Sequence, residues 1–188
     1  MIVEGKQKIW ADYQKDIPDD HYFYVRSCIR QSFFPGSEVT FLDITRNELG
    51  KDFYESAYHT TCGGIAYHSD SIPQETAMTI IARQFALMHE SGYENYVCSC
   101  ITSFGCYTET LETWHEFPEL EAKIRQYLWD SCKKEFAKPK YLAHASDIIY
   151  KFRHEIAKQA KYKLVNAKTG KPLKVVEHIG CHYAKMFP

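Results

Sequence analysis

The chain has 188 residues, 23 of them basic and 24 acidic, with a formal net charge of −1 at pH 7. With 45% apolar and 25% charged residues it has the make-up of a folded domain, which excludes disorder, collagen-like repeats and a coiled coil. Charges of both signs spread along the chain leave no electrostatic footprint for nucleic acid or an anionic membrane. No run reaches the roughly 18 apolar residues of a membrane helix, and the opening MIVEGKQKIWADYQKD lacks the apolar stretch of a secretory signal, so the expected location is the cytoplasm. In that compartment seven cysteines, an odd count, read as metal ligands, redox groups or buried residues rather than structural disulfides.

Residues 1–21 read as a polar arm ending in a turn at Pro18, Asp19 and Asp20. HYFYV (21–25) is a short strand of aromatic and β-branched residues, followed by Cys28 and a loop through Pro35 and Gly36. Ser37 is placed to cap a helix carrying Val39, Phe41, Leu42, Ile44 and Leu49, with Gly50 supplying the left-handed residue that closes it. Phe53–Tyr58 is a second strand candidate, leading into HTTCGGIAYH (59–68) with Cys62 beside two glycines. Ser71 and Gln74 have capping-box spacing around Pro73, and Met78, Ile81, Phe85 and Met88 recur at helical period until Gly92. Tyr93–Val97 is a third strand candidate that runs into Cys98 and Cys100.

Residues 105–134 and 144–161 read as helices, with Pro118 opening a second segment of the first and Ser146 capping the second, which bears Ile148, Ile149, Phe152 and Ile156. AKTGKP (167–172) is a turn-rich basic linker, and LKVVEH (173–178) is a fourth strand candidate ending near Cys181. Strands alternating with helices predict an α/β fold, a small, mostly parallel sheet with helices on its faces and the carboxyl ends of its strands along one edge. Cys28, Cys62, Cys98 with Cys100, and Cys181 each follow a strand candidate, so residues distant in sequence converge on that edge.

FYVRSCIRQSFFP (23–35) and VEHIGCHYAKMFP (176–188) align without a gap, each with a cysteine separated by five residues from Phe-Pro. A duplicated module predicts this pattern. The expected organisation is then an arm at 1–21, a first cysteine-rich module at 22–172 and the truncated start of a second at 173–188.

Thiolates bind soft and borderline metals, and iron-sulfur clusters are held by about four cysteines. Cys28, Cys62, Cys98 and Cys100 supply four. Residues two apart in an extended segment point to the same side, which lets Cys98 and Cys100 face one centre. Gly63 and Gly64 permit close backbone approach, with N–H groups able to donate to cluster sulfur. Zinc is an alternative, although one residue between Cys98 and Cys100 is a poorer match to structural zinc spacing. A third reading makes the cysteines buried small hydrophobes. Cys106 and Cys132, in presumed helices, read as core packing, with Cys106 a substitute ligand.

His59 and His68 flank Cys62, and His178 and His182 flank Cys181, without a zinc-hydrolase spacing. His59 or His182 beside a cluster is suited to carrying protons coupled to electron transfer. The glutamates of TETLETWHEF (108–117) read as a solvated helix face, and no nucleotide-binding or nucleophile-elbow motif is present.

With those residues in view, the chain over about residues 22–188 resembles the cysteine-rich CCG-domain family, of the heterodisulfide-reductase B-subunit type. Family modules begin with one cysteine, continue to Cys-Cys-Gly and finish with Cys-x-x-Cys. Cys28 fits the first position, Thr61-Cys62-Gly63 the middle element, and Cys98 follows Cys62 after 35 intervening residues. GIAYHS (64–69), MTIIARQFALMHESGYENYV (78–97) and CSCITSFG (98–105) are similar to the family's connecting segments, and GCHYAKMFP to the opening of its second module. Thr61 and Ile101 stand where the family has cysteine, and Cys100 sits one residue early.

The resemblance implies an iron-sulfur electron-transfer subunit, with flavin-containing and ferredoxin-like partner subunits and thiol or disulfide substrates. Full ligand sets in the family carry non-cubane clusters, whereas four cysteines suit a conventional [4Fe-4S] cubane. Related modules occur in iron-sulfur subunits of glycolate and lactate oxidation systems. The competing expectation is a non-catalytic module, zinc-stabilised or metal-free, that docks partner subunits.

Overall fold

Four short runs pair into one sheet whose two central strands are buried on both faces, the condition under which parallel strands are stable. The computed structural model describes residues 17–59, 61–160 and 165–174. In it, β1 (Tyr22–Val25), β2 (Phe53–Tyr54), β3 (Asn95–Cys98) and β4 (Tyr141–His144) are all parallel, in the order β2-β1-β3-β4. The α/β class and parallel sheet expected from the sequence are borne out.

The helices are α1 (Cys28–Phe33), α2 (Pro35–Asp43), α3 (Gly64–His68), α4 (Gln74–Glu90), α5 (Ile101–Glu116), α6 (Pro118–Cys132), α7 (Ala145–Lys151) and α8 (Arg153–Gln159). Helix α2 continues into a π-helical turn at Ile44–Glu48. Among the described residues no helix is long and apolar enough to cross a membrane.

The two-residue period of the strands sorts their side chains into two cores. On one face Phe23, Val25, Tyr96 and Cys98 pack against Phe85 of α4, Tyr107 and Trp114 of α5 and Leu128 of α6. Phe85 is fully buried at the centre, edge-on to Tyr96 at 5.2 Å and to Trp114 at 6.2 Å between ring centroids. Burying one such ring contributes about 2–3 kcal/mol. On the other face Tyr22, Tyr24, Val97 and Ala143 pack against Phe41 of α2 and Ile148 and Phe152 of α7 and its end.

Several local expectations are corrected. The loop placed at residues 28–36 is largely helical: the Ser27 hydroxyl accepts the Arg30 N–H at 3.3 Å and caps α1, and Pro35 opens α2 at its first turn. Ser37 therefore lies inside a helix, where its hydroxyl donates to the Phe34 carbonyl. Gly50 does adopt the left-handed conformation, φ 63°.

The second strand shrinks to Phe53–Tyr54, after which Glu55 pairs with Arg26. Helix α4 has the expected stripe, but Ser71 bonds the Ser69 hydroxyl instead of capping. Helix α5 starts at Ile101 rather than 105. The segment after β4 breaks at Phe152 and is capped by His144, not Ser146: the Ser146 N–H donates to His144 Nδ1 at 3.2 Å and the Asp147 carboxylate accepts the His144 N–H at 3.0 Å.

The fourth strand is Tyr141–His144, a segment with no sequence signal of its own. Leu173 and Lys174, the described part of the strand expected at 173–178, are not in a strand, and the rest lies outside the described residues.

Register decides what shares an edge. Val25 pairs with Cys98 and Cys98 with His144, so the carboxyl ends of three strands lie in line. From β1 the chain goes to β2 on one side, whereas β3 and β4 lie on the other. The strand order thus reverses between β1 and β3, and at such a switch point the loops diverge and open a crevice.

Candidate functional site

Each cysteine of the candidate site is delivered by a different element. Cys28 opens α1 three residues after β1 and packs half-buried against the first core. Cys98 is the last residue of β3, fully buried on that same face, its Sγ 3.9 Å from the Ala143 carbonyl. Ser99 turns to the opposite face, where its hydroxyl accepts from Tyr24 and donates to Glu38, both at 2.9 Å. The backbone is still extended at Cys100 (φ −106°, ψ 125°), so strand alternation returns Cys100 to the side of Cys98 as it caps α5.

Cys62 reaches the same corner through its two glycines. Gly63 is left-handed (φ 77°) and begins α3. A Cβ on Gly64 would stand 3.3 Å from the Thr102 carbonyl oxygen and 3.4 Å from Cys106 Sγ, so only glycine lets α3 approach the first turn of α5 this closely. Cys62 is consequently buried, within electrostatic range of Cys28, Cys98, Cys100 and Cys106 alike.

The four expected site cysteines are therefore brought to one region of the carboxyl edge, with Cys106 as a fifth thiol. Cys106 is fully buried, as expected, its Sγ 3.1 Å from the Ser103 carbonyl. Cys132 is a correction: it is exposed at the end of α6 rather than packed in the core, because the apolar face of that helix is carried by Ile124 and Leu128. Cys181, His178 and His182 lie outside the described residues, as does the start of the expected second module from Val175 onward.

The thiols differ in character. Burial pushes Cys98 and Cys106 well above the ordinary thiol range, reinforced by the charges of neighbouring cysteines. Burial also raises Cys62, partly offset by the nearby Ser103 hydroxyl and Gly64 N–H. At Cys100 burial again raises, but the Ser103 N–H, the Ser27 and Ser103 hydroxyls and the Thr102 N–H together outweigh it and hold this thiol below its usual value. A thiolate at a helix N-terminus ringed by donors is the standard route to such a shift.

Polar groups that sequence patterns missed hold these loops. Glu38, 5% exposed, accepts the Ser27 N–H at 2.7 Å as well as the Ser99 hydroxyl, tying the corner before Cys28 to the segment between Cys98 and Cys100. His59 spans the next gap: Nε2 meets the Arg26 carbonyl and Nδ1 meets Gln84 Oε1, both at 2.8 Å, while Gln84 Nε2 donates to the Thr61 carbonyl at 2.8 Å. Both His59 nitrogens are thereby engaged in bracing the Cys62 loop against β1, and burial pushes its pKa down. Gln84 had a legible signal, an amide set in the apolar stripe between Ile81 and Phe85. Glu38 and Ser27 had none.

His144, beside Cys98 in register, was also missed, and burial followed by the Arg30 charge lowers it to about 4. His68 sits at the end of α3 with its ring edge-on to Tyr67. Glu112 and Glu116 are exposed and Glu109 half-buried, in keeping with a solvated face of α5.

As donors, the thiols match an iron-sulfur cluster in kind and in shared edge. Among the described residues, however, no three Cys, His, Asp or Glu side chains form a ligand set for a single metal ion. A mononuclear zinc site, with Zn–S bonds of about 2.3 Å, needs its thiolates gathered tightly. A multi-iron cluster places its own iron and sulfide between the thiolates and takes a wider set.

No family model matches the chain. Among curated proteins it is similar to the B subunit of the ferredoxin:CoB-CoM heterodisulfide reductase of Methanosarcina acetivorans, 25% identical over 179 residues, which are 92% of this chain and 55% of that protein. The chain thus spans about half the length of the curated relative it matches. Along nearly all of its own length it is a distant relative of a heterodisulfide reductase B subunit.

Proposed function

We propose that the chain is an iron-sulfur electron-transfer component of a heterodisulfide-reductase-like oxidoreductase, with Cys28, Cys62, Cys98 and Cys100 as cluster ligands. The observation that carries this reading is the position of Cys62, which two glycines seat within electrostatic range of the other three thiols at the carboxyl edge of a parallel sheet. The distant similarity to a heterodisulfide reductase component supports the same class.

A [4Fe-4S] centre supplies one-electron transfer when bound. The chain's own residues prepare for it. Donors around Cys100 favour its thiolate, the ionic form a metal requires. The His59–Gln84 brace fixes the Cys62 loop, and Glu38 fixes the two segments carrying Cys28 and Cys100. Flavin-containing and ferredoxin-like subunits are the partners this reading calls for, with thiol or disulfide compounds as the substrate class and the cytoplasm as the location.

Anaerobic reconstitution followed by iron, sulfide and zinc analysis tests it. Stoichiometric iron and sulfide, with cluster absorbance lost in Cys62→Ala and kept in Cys132→Ala, is the expected result. Zinc alone would favour a structural zinc site and neither metal a metal-free docking module, and equal loss from the two variants would refute the ligand assignment.

A further inference from the structure

On the side of the β3 end away from the cysteines lies a cleft of about 440 Å³, set between α2 and α7. It occupies the switch-point crevice: Arg30 and α2 follow β1 on one wall, while Ser99 and His144 follow β3 and β4 on the other. Its volume is that of a small-ligand site.

Its polar groups are few and converge. Arg30, half-buried on α1, donates from Nη1 to the Ser37 hydroxyl at 3.0 Å. Among the described residues no carboxylate pairs with this guanidinium. The Glu38 carboxylate, on the same helix as Ser37, is taken up by the Ser27 N–H and the Ser99 hydroxyl. The Ser146 hydroxyl, bonded to His144, adds a second hydrogen-bonding group to the lining. The remaining wall is mostly apolar, with Phe41, Ile44 and Ile149.

We infer that this cleft binds a small organic monoanion, a carboxylate with a short apolar tail, whose charged end sits on the uncommitted N–H groups of Arg30 and whose tail lies along Phe41, Ile44 and Ile149. One unpaired cation among apolar walls selects a single negative charge on an apolar body. A guanidinium matches a carboxylate in two parallel hydrogen bonds, the stronger class of polar contact. An occupant touches Ser99, the residue between Cys98 and Cys100, so ligand and cysteine site share one three-residue segment.

The test is titration of the full chain with hexanoate, followed by amide NMR. Saturable shifts at Ser37, Ser99 and Ser146 are expected, with hexanamide and inorganic phosphate each binding at least about tenfold more weakly. Arg30→Gln should weaken hexanoate by a similar factor. Absence of saturable shifts would overturn the inference, as would hexanoate binding left intact in Arg30→Gln, equal binding of hexanamide, or tighter binding of phosphate.

Discussion

The backbone N–H of Ser27 donates to the buried carboxylate of Glu38 at 2.7 Å, eleven positions further along the chain. Since the same oxygen accepts the Ser99 hydroxyl, one side chain ties together the ends of the two central strands. Glu38→Ala would leave a buried N–H and hydroxyl without their acceptor, at a cost of about 2–4 kcal/mol. Glu38→Gln keeps an acceptor oxygen and should lose less. Urea unfolding checks this, and a midpoint unchanged in Glu38→Ala would refute the role.

Ser27 contributes through its hydroxyl as well, which accepts the Arg30 N–H and is one of the donors near Cys100 that hold its thiol low. Ser27→Ala removes one of the donors that favour the Cys100 thiolate. In metal-free protein the pH midpoint for alkylation of Cys100, followed by mass spectrometry, should move up and the rate near neutrality should fall. A midpoint that stays in place would show that the α5 amides suffice.

His144 gives stability a definite pH dependence. Its pKa is about 4 in the fold, below the roughly 6.5 of an exposed histidine, so between those values the unfolded chain binds the extra proton. The contribution is complete above about pH 6.5, is lost as pH falls toward 4 and changes no further below. It amounts to at most about 3 kcal/mol. His144→Asn preserves a capping side chain and removes the titration. Urea midpoints at pH 7 and pH 5 should therefore differ less in the variant than in the native chain, with the smaller contribution of buried His59 remaining.

Two glycines should respond oppositely to alanine. Gly63 has φ 77°, and a Cβ there would lie 3.3 Å from Ile81 Cγ1, so Gly63→Ala costs about 1–3 kcal/mol from backbone strain and displaces the Cys62 loop. Gly36 lies in the first turn of α2 with open space around its missing Cβ, and Gly36→Ala should leave the melting temperature unchanged or slightly raised. Thermal unfolding of the pair decides it; a lower melting temperature for Gly36→Ala than for Gly63→Ala would contradict the conformational argument.

Patterns that need only a window of chain were legible from sequence. The stripe Met78, Ile81, Phe85 and Met88 marks α4 because helical period and burial coincide there, and the strand–helix alternation implies a parallel sheet with its carboxyl ends on one edge. Cys28, Cys62, Cys98 and Cys100 were placed near that edge by the same logic. What sequence alone left undecided depends on partners far along the chain. Tyr141–His144 becomes a strand because β3 offers it a pairing edge, and Ser27 caps a helix in a segment whose Pro and Gly read as a loop. Glu38 is buried because Ser27 and Ser99 come to it, and Arg30 faces a cleft because strand order reverses beside it. Local period and capping act over a few residues, whereas hydrogen-bond satisfaction and charge placement are settled only when distant segments share one low-dielectric space.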